Sequence, residues 1–209
     1  MSAAIYFFSA GRTDLPIAWT YFALNLIVGL ILSVILARLS PDLIRERVKP
    51  GAGEQDRLTK LVGLVVILLQ LVLSGLDVGR YHWTAPVNAP VQFAALILVF
   101  VGYAIVSWAV FSNRFFSSAV RLQADRQQTV IDTGPYAYVR HPGYTGTILY
   151  LGLAGLALGS WLAFIITIIP MLYLLFRRTL LEDAMLRTGL AGYDAYAHRV
   201  KYRLLPGLW

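Results

Sequence analysis

The 209-residue chain has no cysteine, and its three histidines lie in different segments, so no metal site is predicted. Without cysteine, disulfide bonds, thiolate metal sites and cysteine nucleophiles are all excluded. The sequence also lacks the GxxxxGK[ST] pattern of a P-loop and the GxSxG turn of an α/β-hydrolase. Charged residues are scarce at 14%, compared with about 25% in a typical soluble domain. This scarcity predicts that lipid surrounds much of the folded chain.

Apolar residues are abundant, at 58% of the sequence with a mean hydropathy of +0.65. The net charge of +7 could suit nucleic acid, but the basic residues are separated by long apolar stretches and form no single basic module. We therefore predict a membrane protein that has no nucleic-acid partner. The length allows a single domain, residues 1–209.

Four long apolar stretches are candidates for membrane spans: residues 17–37, 58–76, 91–111 and 144–176. The first would be about 31 Å long as a helix, which matches the hydrocarbon core of a bilayer. The fourth is too long for one untilted crossing, and Gly159-Ser160 near its middle favours a turn. We therefore predict an all-α integral membrane protein with about five transmembrane helices, the last two forming a short hairpin.

The distribution of Lys and Arg predicts the orientation of these spans. If the N-terminus lies outside, 16 of the 18 Lys and Arg residues fall on the inner side of the membrane. Six of them follow span one, four follow span three and six lie in the C-terminal tail. Only Arg12 and Arg80 remain outside. A single fourth helix would move the six tail charges outside and leave 10 against 8. The charge bias therefore favours five spans, with the C-terminus and segments 112–143 and 177–209 at the cytoplasmic face.

Residues 120–144 contain the first group of polar and aromatic side chains that could form a site. Residues 129–131 are predicted as a short strand or an extended stretch, and Gly134-Pro135 as a turn. Pro142 disfavours the helical region for His141, so a helix should begin just after His141. Arg140, His141 and this helix start would suit a carboxylate or phosphate. Alternatively, the Tyr and Arg residues here are ordinary anchors at the bilayer interface.

Arg178 and Glu182 lie four residues apart directly after the last predicted span and share one face of a helix. On an exposed helix they would form an ion pair worth only ~0.3–0.5 kcal/mol. At the membrane boundary a charged pair costs more to desolvate, which favours a functional site. Farther along, Tyr196, Arg199 and Trp209 are predicted to anchor an amphipathic surface helix.

The order of these segments resembles that of a known family. GPYAYVRHPGYTG, two short spans, RTLLED and GYDAYAHRVKYRLLPG are similar to the isoprenylcysteine carboxyl methyltransferase family and to the wider phospholipid methyltransferases. The resemblance covers residues 123–209, whereas the first three spans match only in general character. It implies a helical membrane enzyme with a three-helix part, 1–111, and a cofactor-binding part, 112–209. A tunnel would join a cytosolic cofactor pocket to the lipid phase.

By this resemblance, the cofactor is S-adenosyl-L-methionine and the acceptor is a membrane-embedded lipid or lipidated molecule. The residues matched to cofactor contacts are Gln123, Gln128, Thr129, Val130, Ile131, Tyr136, His141, Pro142, Gly143, Tyr144 and Glu182. The family's arginine falls on Arg178, which would bind the acceptor, so Arg178 and Glu182 are the candidate catalytic residues. Many members have His in place of Gln128 and a run of acids where this chain has residues 180–183.

The acceptor and the function each have alternatives. Transfer to a carboxylate needs no base, and Arg178 could hold the carboxylate as a bidentate clamp. An amine would arrive protonated and need a base, for which Glu182 is the nearest candidate. The competing functions are an NADPH-dependent sterol or steroid reductase and a non-catalytic transport or structural subunit. A transporter predicts several polar residues near span centres, and only Asn25 and Gln70 occur there.

Overall fold

The computed structural model describes residues 1–39, 41, 44, 54–117 and 120–209, with residues 54–59 described by their backbone alone. The α-helices, in chain order, are α1 (Ser2–Ala10), α2 (Pro16–Leu39), α3 (Glu54–Leu76), α4 (Ala89–Ser112), α5 (Pro142–Gly152), α6 (Ala154–Ala157), α7 (Trp161–Gly189) and α8 (Tyr193–Arg199). Short π and 3₁₀ turns occupy Asp77–Tyr81, Ala124–Arg126 and Gly134–Ala137. The described residues contain no strand, which confirms the predicted all-α architecture.

Four helical segments are long and apolar enough to cross a membrane: Pro16–Leu39, Lys60–Tyr81, Ala89–Ser112 and Trp161–Gly189. Their mean hydropathies lie between 1.7 and 2.4. Because a helix satisfies its own backbone hydrogen bonds, such segments are stable in a solvent that offers none. The chain is therefore a multi-pass membrane protein. The predicted inner-loop basic residues Arg45, Arg47 and Lys49, and the side chain of Arg57, lie outside the described residues.

The structure contains the predicted turn between the last two helical segments, but the helices on either side of it differ from the prediction. The chain turns at Gly159, as predicted, and the φ of 93° at this position suits glycine. The Ser160 side chain caps α7. The first arm is broken at Leu153 into α5 and α6, of 11 and 4 residues. The predicted short second arm is wrong, because α7 runs for 29 residues through Pro170. The five-span count therefore stays a prediction.

At one end of the molecule, α1 packs across the turn that follows α3. The Tyr6 hydroxyl donates to the Leu158 carbonyl, and the Ser160 hydroxyl donates to the buried Asp77 carboxylate. A Cβ at Gly75 would lie 2.5 Å from the Tyr6 carbonyl oxygen, so only glycine allows this close approach of the helices. These contacts fix the point where the chain turns into α7.

Helices α4 and α5 also pack closely, and this packing positions the start of α5. A Cβ at Gly102 would lie 2.5 Å from the Tyr150 nitrogen, and one at Gly146 would lie 2.6 Å from the Gly102 carbonyl oxygen. Small residues at facing positions let two membrane helices approach through their backbones. In addition, Gln70 on α3 donates to the Leu151 carbonyl at 3.0 Å. The start of α5 is thereby held beside the end of α4 and the loop that follows it.

The C-terminal segment returns to the start of α5. The backbone N–H groups of Arg140 and His141 donate to the carbonyls of Tyr202 and Arg203, at 3.0 and 2.9 Å. Leu186 near the end of α7 forms a small buried cluster with Tyr193, Tyr196, Ala197 and Val200. As a result, the loop after α4, the start of α5, the end of α7 and α8 meet at one end of the molecule.

Candidate functional site

A pocket of about 800 Å³, including its open mouth, lies where these four elements meet. Its walls are formed by Asn113, Phe115, Phe116, Ser117, Arg121, Gln123, Gln128, Thr129, Val130, Ile131, Tyr136, Arg140, His141, Gly143, Tyr144, Glu182, Leu186, Leu190, Tyr193 and Tyr196. Ten of the eleven residues matched to cofactor contacts are in this wall. The exception is Pro142, the first residue of α5, whose side chain is fully buried.

The loop between α4 and the Gly134–Ala137 turn is shaped by Gln123. Its backbone N–H donates to the Gln128 side-chain oxygen at 2.7 Å, and its side-chain amide donates to the Phe115 carbonyl at 2.7 Å. Arg126 donates to its amide oxygen. Both glutamines therefore hold the loop in its conformation, and the Gln123 side chain is only 1% exposed. They line the pocket as part of its scaffold.

Residues 129–131 line the pocket and belong to no strand or helix, so the strand, one of the two predicted forms, is not found. Tyr136 follows in the 3₁₀ turn and is buried. Its hydroxyl accepts from the Asn113 amide at 3.2 Å, and its carbonyl accepts from the Tyr196 hydroxyl at 2.8 Å. Burial raises the pKa of Tyr136 well above its ordinary value, so the phenol is neutral. The pocket thus has an uncharged aromatic wall on this side.

His141 lies at the start of α5, as predicted from the following proline. Its carbonyl accepts from the backbone N–H groups of Tyr144 and Thr145, and its ring stacks on Tyr144 with centroids 5.6 Å apart. The ring lies between two carboxylates, with Nδ1 3.9 Å from Glu182 and Nε2 3.5 Å from Asp183. Nε2 is buried and faces the Asp183 carboxylate, so this nitrogen is directed to Asp183.

Arg178 and Glu182 share one face of α7, as predicted, and the Tyr144 hydroxyl lies between them. The Arg178 Nε donates to the Tyr144 oxygen at 2.7 Å, and the Tyr144 hydroxyl donates to Glu182 Oε2 at 2.5 Å. The Arg178 guanidinium also lies 5.8 Å from the centre of the Tyr144 ring. Glu182 lines the pocket, whereas Arg178 is not among the described residues in its wall. Tyr144 therefore connects the pocket to the arginine behind it.

Arg140 does not act as the predicted anion-binding group. Its guanidinium forms two hydrogen bonds with the buried Asp183 carboxylate, at 2.8 and 2.9 Å, and donates to the carbonyls of Val200 and Lys201. These bonds occupy all three of its nitrogen atoms, although one edge of the side chain borders the pocket. Arg140 is unavailable to an anion because a buried guanidinium must be paired and hydrogen-bonded within the protein.

The sequence did not predict the role of Asp183, which is a buried hydrogen-bond acceptor for several segments. Besides Arg140, its carboxylate accepts from Tyr193 at 2.9 Å and from Arg203 at 3.2 Å. One carboxylate thus joins α7, the start of α5, α8 and the C-terminal segment. Its only signal in the sequence was its position next to Glu182, where many family members have a run of acids.

Tyr196 was predicted to be an interface anchor on a surface helix, and this prediction is wrong. Its side chain is 3% exposed, borders the pocket and packs with Tyr193 at a ring separation of 5.5 Å. The spacing of the two tyrosines, three residues apart on α8, could have indicated a shared buried face. Arg199 is exposed and pairs with Asp132 across the rim. Trp209 stacks on Phe176 at 4.3 Å.

Within the described residues, no three His, Asp or Glu side chains gather as a metal site would require.

A comparison with known families matches residues 91–188 to the model of the isoprenylcysteine carboxyl methyltransferase (ICMT) family. A search of curated proteins found no match. The matched segment begins in α4 and ends one residue before the end of α7. It contains the pocket loop, His141, Tyr144, Arg178 and Glu182, and it stops before α8. Residues 91–188, slightly less than half of the chain, are therefore similar to the isoprenylcysteine carboxyl methyltransferase family.

Proposed function

We propose that this protein transfers the methyl group of S-adenosyl-L-methionine to a carboxylate on a membrane-embedded lipid or lipidated acceptor. The observation that carries the proposal is the Arg178–Tyr144–Glu182 hydrogen-bonded group at the edge of the pocket, inside the segment matched to the family. In this group the Tyr144 hydroxyl links the Glu182 carboxylate, which lines the pocket, to the Arg178 guanidinium on the same helix, α7. The two charges lie where a soluble cofactor and a lipid could meet.

The pocket is suited to S-adenosylmethionine, which combines an aromatic base, hydroxyl groups, an ammonium, a carboxylate and a sulfonium. The aromatic and branched side chains Phe115, Val130 and Tyr136 offer flat apolar surface for the base. The Glu182 carboxylate could accept from the ribose hydroxyls or the ammonium group. His141 also lines the pocket, and its ring could contact the cofactor.

When bound, S-adenosylmethionine supplies a methyl group that is already activated by its positive sulfur. The protein then has mainly to align the acceptor with this group and to exclude water. Arg178, which Tyr144 holds in place, would attract and orient the acceptor carboxylate. Glu182, held by the same hydroxyl, would orient the cofactor. In this arrangement no residue has to remove a proton.

An amine acceptor fits this group less well. A protonated amine would approach the positive guanidinium of Arg178, and like charges repel at close range. It would also have to transfer a proton to Glu182, whose carboxylate oxygen already accepts from Tyr144. For these reasons we favour the carboxylate.

We also propose that the pocket faces the cytoplasm and that the N-terminus lies outside. The contacts of Arg80 with the carbonyls of Phe8 and Ser9 put it at the α1 end of the molecule, where Arg12 also lies in sequence. Arg140, Arg178 and Arg203 are gathered at the pocket end. A basic pocket end is expected to face the cytoplasm.

The cofactor is tested by titrating the purified protein with S-adenosylhomocysteine and, separately, with NADPH. We expect S-adenosylhomocysteine to bind and NADPH not to bind. Binding of NADPH alone would instead support a reductase and refute the proposal.

The acceptor is tested by incubating membranes that contain the protein with S-adenosylmethionine labelled in its methyl group, followed by lipid extraction. A methyl ester releases labelled methanol in alkali, whereas an N-methyl group is stable. Alkali-labile label that is absent from membranes with the Glu182→Gln variant supports a carboxylate acceptor. Alkali-stable label would show an amine acceptor and overturn the carboxylate assignment while leaving the methyltransferase intact.

A further inference from the structure

The described wall of the pocket contains two arginines, Arg121 and Arg140, and one carboxylate, Glu182. S-adenosylmethionine carries a carboxylate together with an ammonium and a sulfonium, so a pocket that binds it needs an anion-binding group as well as an acidic one. Arg140 does not provide this group, because Asp183 and two backbone carbonyls accept from all three of its nitrogen atoms. Another group in the wall must therefore hold the carboxylate.

Several other polar donors in the wall are also held by contacts within the protein. The Gln123 amide donates to the Phe115 carbonyl, and the Asn113 amide donates to the Tyr136 hydroxyl. The Tyr196 hydroxyl donates to the Tyr136 carbonyl. A donor that gave up such a bond to hold a ligand would leave its former partner unpaired, which is costly away from water. These groups are therefore poor candidates for binding the carboxylate.

Arg121 differs from these donors because its partner is exposed to solvent. Its two terminal nitrogens donate to the Asp125 carboxylate, at 2.9 and 3.4 Å, and the Asp125 side chain is 54% exposed. The Arg121 side chain is only 22% exposed and borders the pocket. An ion pair with a solvated carboxylate is weak, because water competes with it. A ligand carboxylate can therefore share Arg121 with Asp125, or displace Asp125 into water, without leaving a buried group unpaired.

We infer that Arg121 binds the carboxylate of S-adenosylmethionine and makes the protein selective for cofactor molecules that carry this group. A guanidinium can hold a carboxylate through two parallel hydrogen bonds, and it stays charged at any physiological pH. Glu182 then faces the positive part of the cofactor. Arg178, which is not among the described residues of the wall, is left for the acceptor carboxylate. This inference rests on the proposed function, because it concerns the same pocket.

The inference is tested with two ligands that differ in one group: S-adenosylhomocysteine and its decarboxylated analogue, in which a hydrogen atom replaces the carboxylate. Calorimetry on the purified protein measures both affinities. We expect the wild-type protein to bind S-adenosylhomocysteine at least tenfold more tightly than the analogue, because the analogue lacks a hydrogen bond between charged groups. Arg121→Gln should weaken the binding of S-adenosylhomocysteine at least tenfold and change the affinity for the analogue by less than threefold.

Two control variants show whether the effect comes from a direct contact. Arg121→Lys keeps the positive charge and should bind S-adenosylhomocysteine with an affinity within about fivefold of wild type. Arg199→Gln removes a charge from the rim, where Arg199 is 62% exposed and pairs with Asp132, and leaves the described wall unchanged. It should change the affinity for either ligand by less than twofold. Retained binding of the analogue by Arg121→Gln shows that this variant keeps a folded pocket.

Two results would overturn the inference and leave the proposed function in place. The first is an Arg121→Gln variant that binds S-adenosylhomocysteine as tightly as wild type does. The second is an equal loss of affinity for both ligands in this variant, because Arg121 would then shape the loop and not recognise the carboxylate. A wild-type protein that binds neither ligand would refute the proposed cofactor site together with the inference.

Discussion

Replacing Tyr144 by phenylalanine tests the central contact of the proposed active site, because it removes one oxygen atom and keeps the ring. The ring stack on His141, at 5.6 Å, and the contact of the Arg178 guanidinium with the ring, at 5.8 Å, can both remain. The change deletes the hydrogen bonds of 2.7 Å with Arg178 and 2.5 Å with Glu182. Any effect on catalysis therefore reports on the hydroxyl group.

The magnitude follows from the charge of both partners. A hydrogen bond to a charged group contributes about 1.5–3 kcal/mol, and 1.4 kcal/mol corresponds to a factor of about ten. Because Glu182 is 27% exposed, water can replace part of the loss. We expect kcat to fall about 10- to 100-fold when Arg178 loses its fixed orientation. The affinity for S-adenosylhomocysteine should fall by about threefold or less, because Glu182 stays in the pocket.

The assay measures initial rates of methyl-label transfer into extracted lipid, with S-adenosylhomocysteine affinity measured by calorimetry. Tyr138→Phe is the matched control, since its side chain is 64% exposed and lies near the same segment. A double-mutant cycle with Arg178→Ala should be strongly non-additive, because both changes disrupt the same contact. A Tyr144→Phe enzyme with kcat within twofold of wild type would refute the reasoning, and so would full additivity in the cycle.

Three other substitutions test the remaining parts of the site. Glu182→Gln should weaken S-adenosylhomocysteine binding at least tenfold by calorimetry, whereas an unchanged affinity would remove Glu182 from the cofactor site. Arg178→Ala should lower turnover more than cofactor affinity in the label-transfer assay; equal losses in both would mean that Arg178 binds the cofactor or is structural. Asp183→Ala should destabilise the protein by about 3–5 kcal/mol, because it leaves Arg140 buried and unpaired. Thermal unfolding followed by circular dichroism measures this change, and a melting temperature equal to that of wild type would contradict it.

The length of α7 explains how this site reaches the membrane surface. A 29-residue helix is about 43 Å long, whereas the hydrocarbon core is about 30 Å thick. Arg178 and Glu182 lie about 26 and 32 Å from its first residue. With the start of α7 at one boundary of the bilayer, both side chains are expected near the other boundary, where the proposed cofactor and acceptor could both reach them.

Most of the architecture could be predicted from the sequence. The apolar runs indicated the spans, the Gly159-Ser160 pair indicated the turn, and the proline after His141 indicated the start of α5. These signals are local, since each depends on residues that are neighbours in the chain. The same reasoning ended α7 too early and predicted the first arm of the hairpin as one helix, because a helix end or break within an apolar run depends on packing by other helices.

The sequence by itself determined that this chain is helical and lies in a membrane, because a chain with so little charge cannot leave backbone groups unpaired in lipid. It also placed Arg178 and Glu182 on one helix face. Only the tertiary structure decided that the Tyr144 hydroxyl lies between them, from 34 and 38 residues away in the chain. It likewise decided that Arg140 is bound to Asp183 and unavailable to an anion. The physical reason is that partners distant in the chain are brought together by close helix packing, such as that of α4 on α5, and no local pattern records this packing.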